Sequence, residues 1–497
     1  MNRQERQLLE LVQQRVVQMS DKVEKDPYRL HYHLMPPVGL LNDPNGFIQY
    51  KGKYHLFYQW NPFATTHGAK FWGHYTSSDF IKWVEEPIAL APIENYERNG
   101  CYSGSAIEHD GKLYIFYTGN VKNGANRETY QCLAVSEDGI SFKKKGPIIT
   151  LPDGFTAHFR DPKVWKYKEK WYMVIGAQDI SEQGCVVLYS SHNLMDWDYE
   201  AVLAGSKRNG LPYFGYMWEC PDLFSLKNRE VFIFSPQGLE SDGIYYRNIF
   251  QSGYVLGNLE YDTNTFSHGE FTELDRGFDF YAPQTMQDNR GRRILFAWMG
   301  ITDEQEQQQP TIHNNWVHAM TIPRELQLKD EKLFQVPVQE LQELRKNEVV
   351  YPSIALSKEK KSFPDINGEA MEIILHHIWT DLLDTFTITI RNYVKIIYKK
   401  HQNYILLQRK MIKENKWEER ISEIDTLTKL HIYLDTSSLE LFVNDGAEVF
   451  SARIFPSYAD REIVFDVKGD ISFQLKKWDL RKMKVERMWN RIALAKE

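Results

Sequence analysis

Cysteine is scarce in this chain of 497 residues: Cys101, Cys132, Cys185 and Cys220 are all there is. No two of them form a Cys-x-x-Cys pair, which excludes a zinc knuckle and a disulfide framework. No run of about 18 apolar residues occurs, so no membrane-spanning helix is expected. The start, Met1-Asn2-Arg3-Gln4-Glu5-Arg6, lacks the apolar stretch of a secretory leader. A cytoplasmic location is therefore expected. Nor is there an excess of positive charge: 60 Lys+Arg stand against 67 Asp+Glu, a net charge of −7. That balance excludes a dedicated nucleic-acid binder and a protein that docks on an anionic membrane.

What the chain does have is aromatic residues: 13 Trp, 28 Tyr and 27 Phe. Such a load suits strands. Residues 1–25 read as an amphipathic helix, with Leu8, Leu9, Leu11, Val12, Val16 and Met19 largely on one side. From Asn42 onward the pattern changes to short strands and turns, and it repeats. Residues 46–61, 104–120, 161–178, 220–237 and 283–300 each read as an apolar strand, a polar turn and an aromatic strand. Their turn centres, Gly52, Gly111, Glu169, Asn228 and Gly291, are 59, 58, 59 and 63 residues apart. A second element keeps the same phase: Ser78-Asp79, Ser136-Glu137-Asp138 and Ser191-His192-Asn193 lead to the aromatics Trp83, Phe142 and Trp197.

Self-similar strand units at fixed spacing indicate a β-propeller, because one unit cannot bury both faces of its sheet and the units must stack around an axis. The expected fold is all-β: a short N-terminal helical extension (1–30), a five-bladed β-propeller (31–330), a linker with a short helix (331–350) and a C-terminal β-sandwich (351–490). Pro337 ahead of residues 338–345 marks the linker helix. Beyond it, alternating strands run without the repeat, ending a clear hairpin at Asp445-Gly446.

In a propeller the first strands line the axis, so residues at one repeat position converge. Counting back from the turn centres gives Asp43, Ser103, Asp161 and Glu219, with Asp279, Tyr281 and Pro283 in the fifth unit. Three carboxylates thus point at one funnel. Proline follows each closely, at Pro44, Pro162 and Pro221, read as a strand's first residue that also biases its predecessor toward extended backbone. Paired carboxylates among aromatics are the equipment of glycosidases, in which one acid stays ionised and another holds a proton. Arg160 is expected to keep Asp161 charged. Cys220 reads as a packed small hydrophobe. His55, His67, His74 and His109 lack metal-ligand spacing, and neither metal nor other cofactor is expected. Trp298 reads as core, or as a second funnel residue from the fifth unit. Asp435 and Glu440, far from the repeat, read as structural.

Asn42-Asp43-Pro44-Asn45-Gly46, Phe57-Tyr58-Gln59, Phe71-Trp72-Gly73-His74, Cys101-Tyr102-Ser103-Gly104-Ser105, Arg160-Asp161-Pro162 and Trp218-Glu219-Cys220-Pro221 occur together and in this order. The set resembles glycoside hydrolase family 32, the invertases, sucrose-6-phosphate hydrolases and fructan hydrolases, from His31 to about residue 480. The resemblance implies a retaining β-fructofuranosidase acting on sucrose or sucrose 6-phosphate. It implies Asp43 as nucleophile, Glu219 as general acid and base, and Asp161 as transition-state stabiliser with Arg160. It also implies Asn42, Gln59, Trp72, Tyr102 and Ser103 as sugar-binding residues; Tyr281 is expected beside them from its place in the fifth unit. Leu40 stands where the family often has Trp, which touches substrate fit and leaves the acids alone. A fructan hydrolase shares these acids; a non-catalytic carbohydrate-binding propeller would be expected to have lost one of them. Lys70, His67, Arg98 and Arg247 are candidate partners for a phosphate. The partner expected is a small sugar, with a homodimer compatible with the sandwich flank.

Overall fold

The strand pattern closes into sheets whose order follows the chain. The computed structural model describes residues 3–124, 126–414 and 416–488. The helix Arg3–Glu24 buries Val12, Val16 and Val23, spaced so as to share one face. Leu8, Leu9 and Met19 are partly covered, but Leu11 is 54% exposed, so the buried stripe is narrower than the sequence pattern implied. No helix among the described residues is long and apolar enough to cross a membrane.

Five small antiparallel sheets follow. Their first strands are Gly39–Tyr50, Cys101–His109, Phe155–Tyr167, Met217–Leu226 and Tyr281–Gln287. Each of these strands packs on the next, and Tyr281–Gln287 packs back on Gly39–Tyr50, which makes a closed ring. The architecture is a β-propeller. Neighbouring sheets approach closely: a Cβ on Gly176 would sit 2.2 Å from the Trp218 carbonyl oxygen. The second recurring element is one turn used three times. Asp79, Asp138 and Asn193 each accept from two following backbone N–H groups through Oδ1, at 2.8–2.9 Å. The next residues, Phe80, Gly139 and Leu194, take φ of 61°, 80° and 66°. Short polar side chains that bond their own backbone stabilise such turns.

Two short strands come to the first sheet from outside its repeat unit. Trp316–Val317 pairs parallel to Gly39–Leu40, and Lys484–Arg487 pairs parallel to Lys82–Glu85. The latter was expected within the sandwich; its backbone groups instead pair with the open edge of the first sheet. The stretch expected as linker is also more regular. Lys332–Pro337 is the last strand of the fifth sheet, a 3₁₀ helix spans Gln339–Leu344, and Arg345–Ser357 already belongs to the next sheet.

The C-terminal part is sandwich-like, an eleven-stranded sheet folded over its own core. The strand Ile463–Leu480 belongs to both halves. Its first part pairs with Leu383–Ile390, its second with Arg345–Ser357 and Met371–Trp379.

A fully buried polar network joins the two parts. Arg324, from the fifth sheet, bonds Asp275 at 3.0 Å, Gln335 at 2.9 Å and Ser451 at 2.6 Å, and grips Glu440 through Nε and Nη2. His33 links Asp435 at 2.9 Å and Glu440 at 3.0 Å. Asp435 and Glu440 are thus junction residues. Removing one partner from such a network leaves buried charge uncompensated, at a cost of about 3–5 kcal/mol. Arg324→Met is expected to lower unfolding stability by about that amount, read by urea denaturation. Adding Glu440→Gln should recover part of it; a loss under 1 kcal/mol in the single variant would reject the network's role.

Candidate active site

Each first strand carries one extra residue relative to its partner, at the same place. The register slips between Leu41 and Pro44, Tyr102 and Gly104, Arg160 and Lys163, Glu219 and Asp222, and Tyr281 and Gln284. These are β-bulges, which bend a strand and re-aim its side chains. Pro162, Pro221 and Pro283 lie in the bulges and Pro44 closes the first one opposite Tyr58, inside the strands rather than at their starts, because a bulge has no ladder hydrogen bond for proline to forfeit. The residues preceding the last three prolines, Asp161, Cys220 and Ala282, take φ of 68°, 49° and 50°, not the extended backbone expected. Strain of this kind persists where surrounding structure holds it.

The bulges bring Asp43, Asp161 and Glu219 to one cavity of about 390 Å³, walled also by Asn42, Gln59, Tyr102, Arg160 and Tyr281. That volume falls within the range of small-molecule sites. Asp43 Oδ2 accepts from Ser103 Oγ at 2.6 Å, and Oδ1 accepts from Asn42 Nδ2 at 3.0 Å. Gln59 bonds both Asn42 and Ser103 from behind. Asp161 Oδ2 accepts the Cys220 backbone N–H at 3.0 Å. The Cys220 thiol lies 3.6 Å from Asp161 Oδ2 and 3.8 Å from Asp43 Oδ2, so one sulfur touches both carboxylates. Glu219 Oε1 accepts from Arg160 Nε at 2.8 Å and Nη2 at 2.6 Å. Its Oε2 accepts from Gln237 at 2.7 Å and from the Tyr281 hydroxyl at 2.6 Å.

These surroundings separate the three acids. Burial pushes the Asp161 carboxyl up to about 7, with the negative charges of Glu219 and Asp43 adding and Arg160 opposing. Asp43 is also raised, by burial and by Glu219, against the hydrogen bonds of Ser103 and Asn42. Burial alone would raise Glu219, but the Arg160 charge and the Tyr281 hydrogen bond outweigh it and hold Glu219 below its ordinary value. Burial keeps the Cys220 thiol protonated far into the alkaline range, so it can donate to its two acidic neighbours. On the other wall, Lys70 Nζ lies 3.2 Å from His67 Nδ1, and His67 and His318 both reach Glu306, at 3.0 and 2.9 Å. Burial pulls Lys70 down to about 7. Asn42 Oδ1 and Trp298 Nε1 are buried at the cavity without a hydrogen-bond partner. Among the described residues no group of three His, Cys, Asp or Glu side chains is placed to hold a metal ion.

Residues 33–337 match the family model "Glycosyl hydrolases family 32 N-terminal domain", and residues 340–480 match "Glycosyl hydrolases family 32 C terminal". The chain belongs to glycosyl hydrolase family 32. It is 51% identical over 456 residues to a sucrose-6-phosphate hydrolase of Bacillus subtilis (strain 168), covering 92% of this chain and 95% of that one. Among solved structures, the Lactobacillus gasseri sucrose-6-phosphate hydrolase superposes with a TM-score of 0.85 at 31% identity, over 95% of this chain and 96% of that one. A Bombyx mori GH32 beta-fructofuranosidase superposes with a TM-score of 0.84 at 35% identity, over 98% of this chain and 100% of that one. An aspartate-to-alanine variant of the Bombyx mori protein was solved in complex with sucrose.

Within this family 32 site, the structure places the sequence candidates unevenly. Asn42, Asp43, Gln59, Tyr102, Arg160, Asp161, Glu219 and Tyr281 all line the cavity. Ser103 stands behind Asp43. Trp72 is 0% exposed, donates Nε1–H to the Tyr102 carbonyl at 3.1 Å and stands behind the cavity wall. Arg160 pairs with Glu219, not with its neighbour Asp161, because the bulge sends adjacent side chains apart. Cys220 packs, partly buried, against the core, as expected, and its thiol also faces the acids. Asp279 turns away to Arg409 and the Arg453 backbone. Lys70 and His67 line the cavity, whereas exposed Arg98 bonds Asn123 and Arg247 bonds the Gly243 carbonyl. Gln237, Phe250, Asn99, Lys122 and Arg127 line the cavity unforeseen. Gln237 was findable: it closes the fourth repeat unit where Gln178 closes the third.

A carboxyl raised in the folded state favours folding at low pH and loses that contribution as pH climbs through its folded value. For Asp161 the window runs from its ordinary 3.8 to about 7. Asp161→Asn is therefore expected to match the parent Tm near pH 4 and to exceed it increasingly up to about pH 7. Thermal unfolding across that range checks this; a pH-independent difference would contradict it.

Proposed function

We propose that this family 32 protein is a retaining β-fructofuranosidase that releases terminal fructose from sucrose or sucrose 6-phosphate, its five sheets being the five blades of one propeller. The supporting observation is the convergence of Asp43, Asp161 and Glu219 on one cavity, with a single sulfur against two of them and an arginine on the third. The sucrose-6-phosphate hydrolase relatives and the sucrose complex of the Bombyx mori variant favour the same substrates. The proposed domain boundary falls between Lys332–Pro337 and Arg345–Ser357.

Asp43 is the nucleophile. Ser103 and Asn42 each fix one of its oxygens, so the attacking carboxylate is oriented before the sugar arrives. It attacks the anomeric carbon of fructose while Glu219 gives its proton to the glycosidic oxygen, which leaves with the second sugar. A water then attacks the fructosyl–Asp43 ester; Glu219 takes the water's proton, and Asp43 is released as carboxylate. Asp161 holds fructose hydroxyls and strengthens that hold as positive charge develops on the ring.

Glu219 must be protonated for the first step, yet Arg160 keeps it ionised in the free site. The site therefore holds its proton on Asp161, the acid raised to about 7. Sugar hydroxyls that bond Asp161 and draw Arg160 off Glu219 reverse both preferences, and the proton passes to Glu219. Of the four donors around Glu219, only the Tyr281 hydroxyl can also accept, so it receives the hydrogen bond from protonated Glu219.

Asp43→Ala is expected to reduce release of fructose from sucrose by about four orders of magnitude with the fold intact by circular dichroism; residual turnover above a few per cent excludes Asp43 as nucleophile. Tyr281→Phe removes a donor that favours ionised Glu219, so the alkaline limb of the kcat/KM profile should move to higher pH. A downward move would mean that Glu219 is not the proton donor.

A further inference from the structure

One wall of the cavity carries two cations that pair with none of the reacting acids, although the Arg127 charge helps hold Glu219 below its ordinary value. Lys122 and Arg127 both line it, on the strands Lys112–Asn123 and Asn126–Ser136 of the second sheet. They are paired directly across that hairpin, so their side chains share a face. Like charges in this position repel. Among the described residues no carboxylate lies within ion-pair distance of either. The nearest acid in sequence, Glu128, is taken by Asn123 at 2.8 Å and by the Tyr130 hydroxyl at 2.8 Å.

The pair is built rather than loose. Arg127 Nε donates to Asn120 Oδ1 at 2.9 Å, and its guanidinium lies over the Tyr102 ring at 5.6 Å, which leaves Nη1 and Nη2 for a ligand. Lys122 has its backbone N–H held by Asn99 Oδ1 at 2.7 Å, while its side chain is exposed at the mouth. Asp161, in contrast, is buried, with the partly covered Asp43 and Glu219 beside it. A sugar attacked at the floor has its leaving group toward the mouth. The other cavity lysine, Lys70, is buried beside His67 and close enough to Asp43 to influence it, which puts it on the side of the sugar being attacked.

We propose that Lys122 and Arg127 form an anion subsite at the cavity mouth that binds the phosphate monoester of a phosphorylated leaving hexose. The fork of Arg127 and the point charge of Lys122 suit a dianion. In a chain with net charge −7 this cationic pair is a local exception. The inference rests on the β-fructofuranosidase reading and deepens it: phosphorylated sucrose is the preferred substrate.

The test compares kcat/KM for sucrose 6-phosphate and for sucrose in the full chain, in Lys122→Ala, and in Lys122→Ala with Arg127→Ala. Each lost charged contact should lower the ratio of the two about tenfold, mostly through KM for the phosphorylated sugar, and Lys122→Arg should restore most of it. Glucose 6-phosphate should raise the Tm of the parent protein more than glucose does, and the double variant should lose that difference. A ratio within twofold of the parent in the double variant overturns the subsite. Equal kcat/KM for the two sugars in the parent does the same and leaves the fructosidase reading standing. Hydrolysis of neither sugar overturns that reading first.

Discussion

The extra residue in each innermost strand is the constraint on which the site depends. Without it, side chains would alternate regularly across the sheet, and the acids would point between blades or along the axis by turns. With it, Asp43, Ser103, Asp161, Glu219 and Tyr281 stand beside a local kink and are aimed at one place. Proline is tolerated there because the ladder is already broken, and it limits the backbone to few conformations. Positive φ at Asp161, Cys220 and Ala282 is the local cost of that aim.

Bringing three carboxyls together is electrostatically unfavourable, and the surroundings decide how the charge is distributed. Arg160 commits to Glu219, the thiol of Cys220 touches Asp43 and Asp161, and amide and hydroxyl groups orient Asp43. Burial and the neighbouring acids raise Asp161, whereas Arg160 holds Glu219, the acid proposed to deliver the proton, below its ordinary value. In the proposed mechanism substrate hydroxyls are part of the acid–base machinery, because they compete for Arg160. The same cavity also carries Lys122 and Arg127 side by side in its wall.

The sandwich-like part stabilises the ring from outside. Arg324, His33, Asp275, Asp435 and Glu440 form a buried network in which every member needs its partners. The chain's ends reinforce this: the segment at His31–His33 is bonded to Asp435, and Lys484–Arg487 returns to the first sheet. Arg487 there pairs with Glu85 and Glu24, tying helix, propeller and C-terminal strand together.

Read alone, the sequence determined the all-β class, the recurring unit, the two-part organisation and the three acids, since period and phase are properties of the chain order. Gln237 was within its reach for the same reason. It could not determine which acid Arg160 serves, that Trp72 is sealed behind Tyr102, or that Cys220 faces the carboxylates, because a bulge reverses the side-chain alternation from which direction is read. Nor could it find Lys122 and Arg127 as neighbours: their pairing comes from the register of one hairpin, and their place at the cavity from how that hairpin packs beside the axis. Those choices are made by distance and burial, which exist only in the folded molecule.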